Sequence, residues 1–220
     1  AIAEEGLRGD WGANVGRVLL SEFGSDIKNE ARAYAAAASD ARMSGCELPV
    51  VIVTGSGNQG ITASVPVIRY AKHIGASDER LYRALLVSDL VTIHQKTGIG
   101  RLSAYCGAVS AGCGAGAGIA YLLGGDYRAI AHTIVNAVAI LSGTICDGAK
   151  PSCAAKIASA VEAGILGYYM YVNDQQFRGG DGIVAKGVEN TIRNVGLLAS
   201  QGMKQTDRVI LNIMTGDQCL

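Results

Sequence analysis

Apolar side chains recur at three- and four-residue intervals over most of the chain, and glycine-rich polar stretches interrupt them. The pattern predicts an Ala-rich helix over 25–42, with Asp26 at its positive end and Gly45 closing it. A β-branched run, Leu48 to Val53, reads as one short strand or an extended buried segment emptying into the loop Thr54-Gly55-Ser56-Gly57-Asn58-Gln59-Gly60. A helix over 61–74 follows, with Pro66 as a kink or late start. Ser77 caps the next helix, whose apolar face is read as Leu81, Leu85, Leu86, Leu90 and Ile93, before the glycine break at 97–100. An apolar helix over 102–123 stops at Gly124-Gly125, and Asp126 caps another ending near Gly143. Beyond a cysteine-bearing loop, helices are expected over 154–172 and 183–199, with 208–214 as strand or helix.

These elements describe a mainly α fold: a compact helical domain with central Gly/Ala-rich buried helices and at most one or two short strands. The absence of a repeat or low-complexity linker makes residues 1–220 a single domain with 1–45 as a helical lead-in. Composition agrees, since 49% of residues are hydrophobic, only 5% are aromatic and glycine numbers 30. Helices packed closely through small residues follow from that balance. The apolar stretches 102–125 and 129–146 raise the possibility of a membrane span on length, but the first is mostly Gly, Ala and Ser, has no flanking Trp or clustered Lys, and carries two cysteines. A buried core helix is the expectation. Lys plus Arg and Asp plus Glu both number 19, so no basic field exists to hold nucleic acid. Six cysteines are too sparse for a disulfide scaffold, which points to a reducing cytoplasm. The chain begins at Ala1 without a Met and reads as a piece of something longer.

Two features carry candidate chemistry. Gly55-Ser56-Gly57-Asn58-Gln59-Gly60 has the letters of a dinucleotide fingerprint, yet Pro66 and the helix at Ser77 stand where an uninterrupted helix and second strand belong. What survives is either a tight turn or a nest of backbone N–H groups suited to a phosphate or carboxylate. The cysteines are sharper. Cys106 and Cys113 are seven apart, as are Cys146 and Cys153, and no CxxC pair exists, which disfavours a zinc site. On one continuous helix Cys106 and Cys113 stand about 10.5 Å apart along the axis, so one of them is a spectator. Gly148 and Pro151 oppose a helix between Cys146 and Cys153, and such a loop bends two thiolates toward one centre. Three cysteines from two segments suit an iron-sulfur cubane with one open iron; buried cysteines acting as small hydrophobes are the alternative.

Cys106 within Ser103 to Ala108, the Gly/Ala helix, and Cys146-Asp147-Gly148-Ala149-Lys150-Pro151-Ser152-Cys153 resemble the iron-sulfur-dependent L-serine dehydratase α-domain superfamily. The likeness is greatest to its L-cysteine desulfidase branch, which the Thr54 to Gly60 loop and Gln95-Lys96-Thr97-Gly98 also resemble. The resemblance implies a [4Fe-4S] cluster on Cys106, Cys146 and Cys153, with Cys113 not a ligand, and a lyase eliminating a β-substituent from L-cysteine or L-serine. It covers the C-terminal half of a usual family member, so pairing with an N-terminal half or homo-oligomer formation is expected. The family's base, a cysteine of that half, has no counterpart here, and Cys46 lacks its context. N–H groups at Ser56, Gly57 and Asn58 are expected to hold the substrate carboxylate, and Lys96, or His94, to add charge. A nucleotide-binding oxidoreductase and a non-catalytic domain are the readings from other classes. Cys219, near the C-terminus, is read as a surface cysteine or as a tail thiolate that occupies the open iron.

Overall fold

The computed structural model of the chain describes residues 1–216. Among these, the order is α1 (Ile2–Arg8), α2 (Val15–Phe23), α3 (Ile27–Met43), α4 (Gly57–His73), α5 (Asp78–Ile99), α6 (Gly107–Leu122), α7 (Tyr127–Leu141), α8 (Cys153–Val172), α9 (Val188–Leu197) and α10 (Lys204–Thr215), with a π turn at Leu198–Gly202. The described residues contain no strand; two isolated bridges, Val53 with Ser56 and Tyr105 with Ile145, are their only β pairing. The fold is mainly α.

Helix α6 is the axis of the structure. Every residue from Ala108 to Ala120 is buried, and α4, α5, α7 and α8 pack around it. Such approach needs the absence of side chains. A Cβ on Gly116 would lie 2.6 Å from the Gly164 carbonyl oxygen of α8, and one on Gly118 2.8 Å from the Ala84 carbonyl oxygen of α5. Helix α3 repeats the device at smaller scale: Ala35 to Ala41 are buried, and a Cβ on Gly16 of α2 would stand 2.5 Å from the Ala33 carbonyl oxygen.

This packing keeps Leu81 and Leu85 of the expected α5 face against the core and turns the rest of that face outward. Leu86, Leu90 and Ile93 are exposed, whereas Ala84, Ser88, Thr92, Gln95 and Lys96 are buried. The face toward α6 had to be short: a Cβ on Gly114 would collide with the Thr92 hydroxyl, and the Ser88 hydroxyl satisfies itself on the Ala63 carbonyl at 2.7 Å. Close backbone approach outweighs the burial of three large side chains here. The 48–53 run differs too. It is neither strand nor buried segment, since Val51 and Ile52 are 75% and 64% exposed. Helix α6 starts at Gly107 rather than 102, and 183–187 is loop, with α9, the π turn and α10 dividing the C-terminal segment. No helix is long and apolar enough to cross a membrane among the described residues. Cys219 lies outside them.

Gly164→Ala is expected to lower the melting temperature, because its methyl group would drive into the Gly112 carbonyl; overpacking of this kind costs about 1–3 kcal/mol. Gly143→Ala meets nothing within 4 Å and is the control. Equal thermal melts for the two variants would contradict the close-packing account.

Candidate functional site

Forty residues separate Cys106 from Cys146, and the fold cancels that separation. Helices α6 and α7 are 16 and 15 residues long and pack against each other, so the chain leaves level with its starting point after two lengths of about 24 Å. The returning segment pairs with the outgoing one: Cys106 N–H donates to the Thr144 carbonyl at 3.1 Å and Cys146 N–H to the Ala104 carbonyl at 2.6 Å. Gly148, at φ 96°, then turns the chain so that α8 begins at Cys153. The Cys153 thiol faces back across this turn toward the Gly148 carbonyl, 3.6 Å away.

Cys106, Cys146 and Cys153 thereby line one cavity of about 110 Å³. Ser56, Asn58, Gln59, Gly107, Ala108, Gly148, Ala149, Lys156 and Ile157 complete its wall. Three helix N-termini meet there. Ser56 caps α4, Cys106 is the N-cap of α6, and Cys153 opens α8. Their first-turn N–H groups lack intrahelical acceptors and carry the positive ends of the helix dipoles. Among the described residues the wall contains no acidic side chain and no histidine. Such a cavity favours anions: thiolates, a negatively charged inorganic group or a carboxylate. A larger hollow of about 420 Å³ beside Ser77, Arg80 and Arg83 is an open surface feature whose Arg83 pairs with Glu79.

The thiols differ in state. Cys106 and Cys146 interact directly, and Cys146 surrenders its proton first: Cys106 holds it as thiolate, down to about 6, with help from the Gly148 N–H and the Lys156 charge. Cys106 is pushed strongly up by the same interaction and by burial. Cys113 lies outside the wall, 1% exposed, its pKa raised to about 12 by burial. Cys46 is half-buried elsewhere. Among the described residues no three His, Cys, Asp or Glu side chains are arranged to hold a metal ion. A cubane takes one thiolate on each of three different irons, so its sulfurs stand further apart than the ligands of one zinc, and three thiols around a shared cavity fit that donor set.

The glycine loop reaches the cavity through Gln59 as well as Ser56 and Asn58. A Cβ on Gly107 would stand 2.6 Å from the Gln59 amide, so the glycine after Cys106 is what lets α4 abut α6. Gly60 answers to the chain's own Val51 carbonyl, which a Cβ would strike. With no strand before it and a helix starting inside it, the loop is no Rossmann fingerprint. Gly57 is buried outside the wall, packed on the Arg42 guanidinium. The Asn58 side chain is committed to α3, its Oδ1 accepting from Arg42 at 3.1 Å and Ser39 at 3.4 Å. Its backbone N–H, with that of Gly57, remains available.

Lys96 is 8% exposed on α5 and is not a wall residue. Among the described residues its ammonium has no hydrogen bond or ion pair; burial lowers its pKa, and only Cys146 and Cys106 favour its charge. His94 is a surface residue pairing with Glu189 at 2.8 Å. The wall residues missed at the sequence level are Gln59 and Lys156. Lys156 was signalled weakly by its spacing, three residues after Cys153 on one helix face.

The family model described as the serine dehydratase alpha chain matches residues 1–212. Among curated proteins, the chain is similar to a UPF0597 protein of Desulfitobacterium hafniense, 68% identical over 219 residues, covering 100% of this chain and 51% of the relative. It is also similar to UPF0597 proteins of Lachnoclostridium phytofermentans, 56% identical, and Finegoldia magna, 54% identical, each match covering 97% of this chain and 51% of the relative. The chain spans about half the length of the curated relatives it matches. No solved structure matches it.

Burial of the Lys96 side chain, which the charges of Cys146 and Cys106 offset only in part, destabilises the metal-free chain. The folded pKa of Lys96 lies below its ordinary value of 10.5, so its penalty is absent above that value, grows as pH falls from it toward the folded pKa and is complete below that. Lys96→Met is therefore expected to raise the melting temperature of the metal-free chain at pH 7, by about 2–4 °C per kcal/mol relieved. The gain should shrink as pH approaches 10.5. A lower melting temperature at neutral pH would contradict the unpaired state of Lys96.

Proposed function

Since the chain belongs to the serine dehydratase alpha chain family, we propose that its cavity forms the iron-sulfur part of a lyase site that β-eliminates sulfide from L-cysteine. The observation that supports this reading best is the shared cavity of Cys106, Cys146 and Cys153, bordered by the N-terminus of α4. Three thiolates suit a [4Fe-4S] cluster with one iron left without a protein ligand. The Cys-Asp-Gly-Ala-Lys stretch favours L-cysteine as substrate; L-serine, giving pyruvate and ammonia, is the second reading on the family name.

The reaction breaks the Cα–H and Cβ–S bonds of the amino acid, and the aminoacrylate released takes up one water to give pyruvate and ammonia. When bound, the cluster supplies a Lewis acid for the departing sulfur. The chain's own residues do the rest of the positioning. The Gly57 and Asn58 N–H groups and the Ser56 hydroxyl hold the substrate carboxylate, which the α4 dipole favours. That grip turns the β-carbon toward the thiols across the cavity. Lys96, buried behind Cys106 and Cys146, adds positive potential where negative charge develops, in surroundings that screen it little. Among the described residues the wall offers neither a carboxylate nor an imidazole to take the α-proton. The complete activity belongs to the polypeptide that carries this chain, and an N-terminal half or a second copy is the partner proposed for it.

Anaerobic reconstitution with iron and sulfide is expected to give the brown absorption of a cluster in the native chain and in Cys113→Ser. Cys106→Ser, Cys146→Ser and Cys153→Ser should each lose most of it, together with sulfide release from L-cysteine. A colourless native preparation, or loss of colour in Cys113→Ser alone, would overturn the ligand assignment.

A further inference from the structure

Among the described residues Lys156 contributes the only charged side chain to the cavity wall. It stands one turn into α8, three residues after Cys153, with its side chain 23% exposed. Its ammonium is not free to wander. It donates to the Ile145 carbonyl at 3.0 Å and pairs with Asp147 Oδ1, so both residues flanking Cys146 hold it. Asp147 in turn pairs with Lys150 through Oδ2, and the two lysines hold its carboxyl down to about 2. The loop that carries Cys146 is thus fastened to the helix that carries Cys153 through one lysine. Two of the three N–H donors of that ammonium are spent on the fastening.

The same ammonium stands within electrostatic reach of every thiol in the wall. Its charge acts on Cys106 and Cys146, and Cys106 and Cys153 act on it. Lys96 differs, being outside the wall and without a carboxylate. A cation that lines the cavity of the three thiols, and is held by the residues flanking one of them, has a use beyond tying a loop.

Resting on the three-thiolate reading above, we propose that Lys156 is the positioning residue and charge partner of the cluster site: clamped by Asp147 and the Ile145 carbonyl, it fixes Cys146 relative to Cys153 and offsets the negative charge of the thiolates and the group they hold. Charge compensation makes a distinct claim on the cluster. Adding an electron adds negative charge, so a nearby fixed cation favours the reduced state and its removal favours the oxidised one. A tether alone has no such effect once the cluster is in place.

The test is a spectroelectrochemical titration of anaerobically reconstituted native chain, Lys156→Met, Lys156→Arg and Lys150→Met, with iron retained per chain measured alongside. Lys156→Met is expected to make the midpoint potential more negative by about a tenfold change in the reduction equilibrium, 59 mV for one electron. Lys156→Arg should return most of that shift. Lys150→Met should stay at the native potential, since Lys150 shares Asp147 but is absent from the wall. If Lys156→Met takes up no iron, Lys156→Arg decides: loading at the native potential supports the charge role, and failure of both overturns it in favour of a shape-specific tether. An unchanged potential in a loaded Lys156→Met also overturns it. Absence of a cluster in the native chain overturns the reading beneath it instead.

Discussion

The close approach of α6 to its neighbours is the constraint on which the site depends. Glycines at 112, 114, 116 and 118 remove the side chains that would hold α5 and α8 away, and Gly107 does the same for α4 at the Gln59 amide. With the helices this close, the N-termini of α4, α6 and α8 open on one small volume. Their dipoles alone make it a place for negative charge. Chemistry then follows from what the three first turns carry: a cysteine at two of them and the Ser56 cap at the third.

The second cysteine segment reaches the same volume because α6 and α7 are nearly equal in length. A hairpin of unequal arms would leave Cys146 displaced along the axis by about 1.5 Å for each unmatched residue. Instead the segments at 104–106 and 144–146 pair, and the Cys106–Cys146 contact is built into the backbone. Stability is given up nearby. On α5 the Gln95 Oε1 atom is buried without a hydrogen-bond partner among the described residues, and burial lowers the pKa of the adjoining Lys96.

Local signals in the sequence proved legible where a side chain acts on its own turn. Asp26, Ser77 and Asp126 cap α3, α5 and α7 by accepting from the N–H three residues on, and the stops at Gly45 and Gly124 adopt positive φ. Tertiary packing hid the rest. Leu86, Leu90 and Ile93 of α5 point outward because α6 needed a face of Ala, Ser and Thr, and no periodicity within α5 records that need. The Val50 to Val53 run has β propensity but no partner strand, so it lies over the first turn of α4 as irregular chain. Spacing made one of Cys106 and Cys113 a spectator and the family resemblance chose Cys113, which lies outside the cavity that Cys106, Cys146 and Cys153 line. Neither gave a sign that Lys156 would line the wall and Lys96 would not, because that depends on how α5 and α8 rotate against α6.

The central claim is that three thiols of one cavity hold a cluster with an open iron that meets the substrate. Mössbauer spectroscopy of chain reconstituted with iron-57, recorded before and after adding L-cysteine, tests it most directly. The account expects a cluster spectrum in which one iron subsite alone changes its parameters on adding the amino acid. A spectrum without a cluster, or a cluster whose irons all ignore L-cysteine, would contradict it.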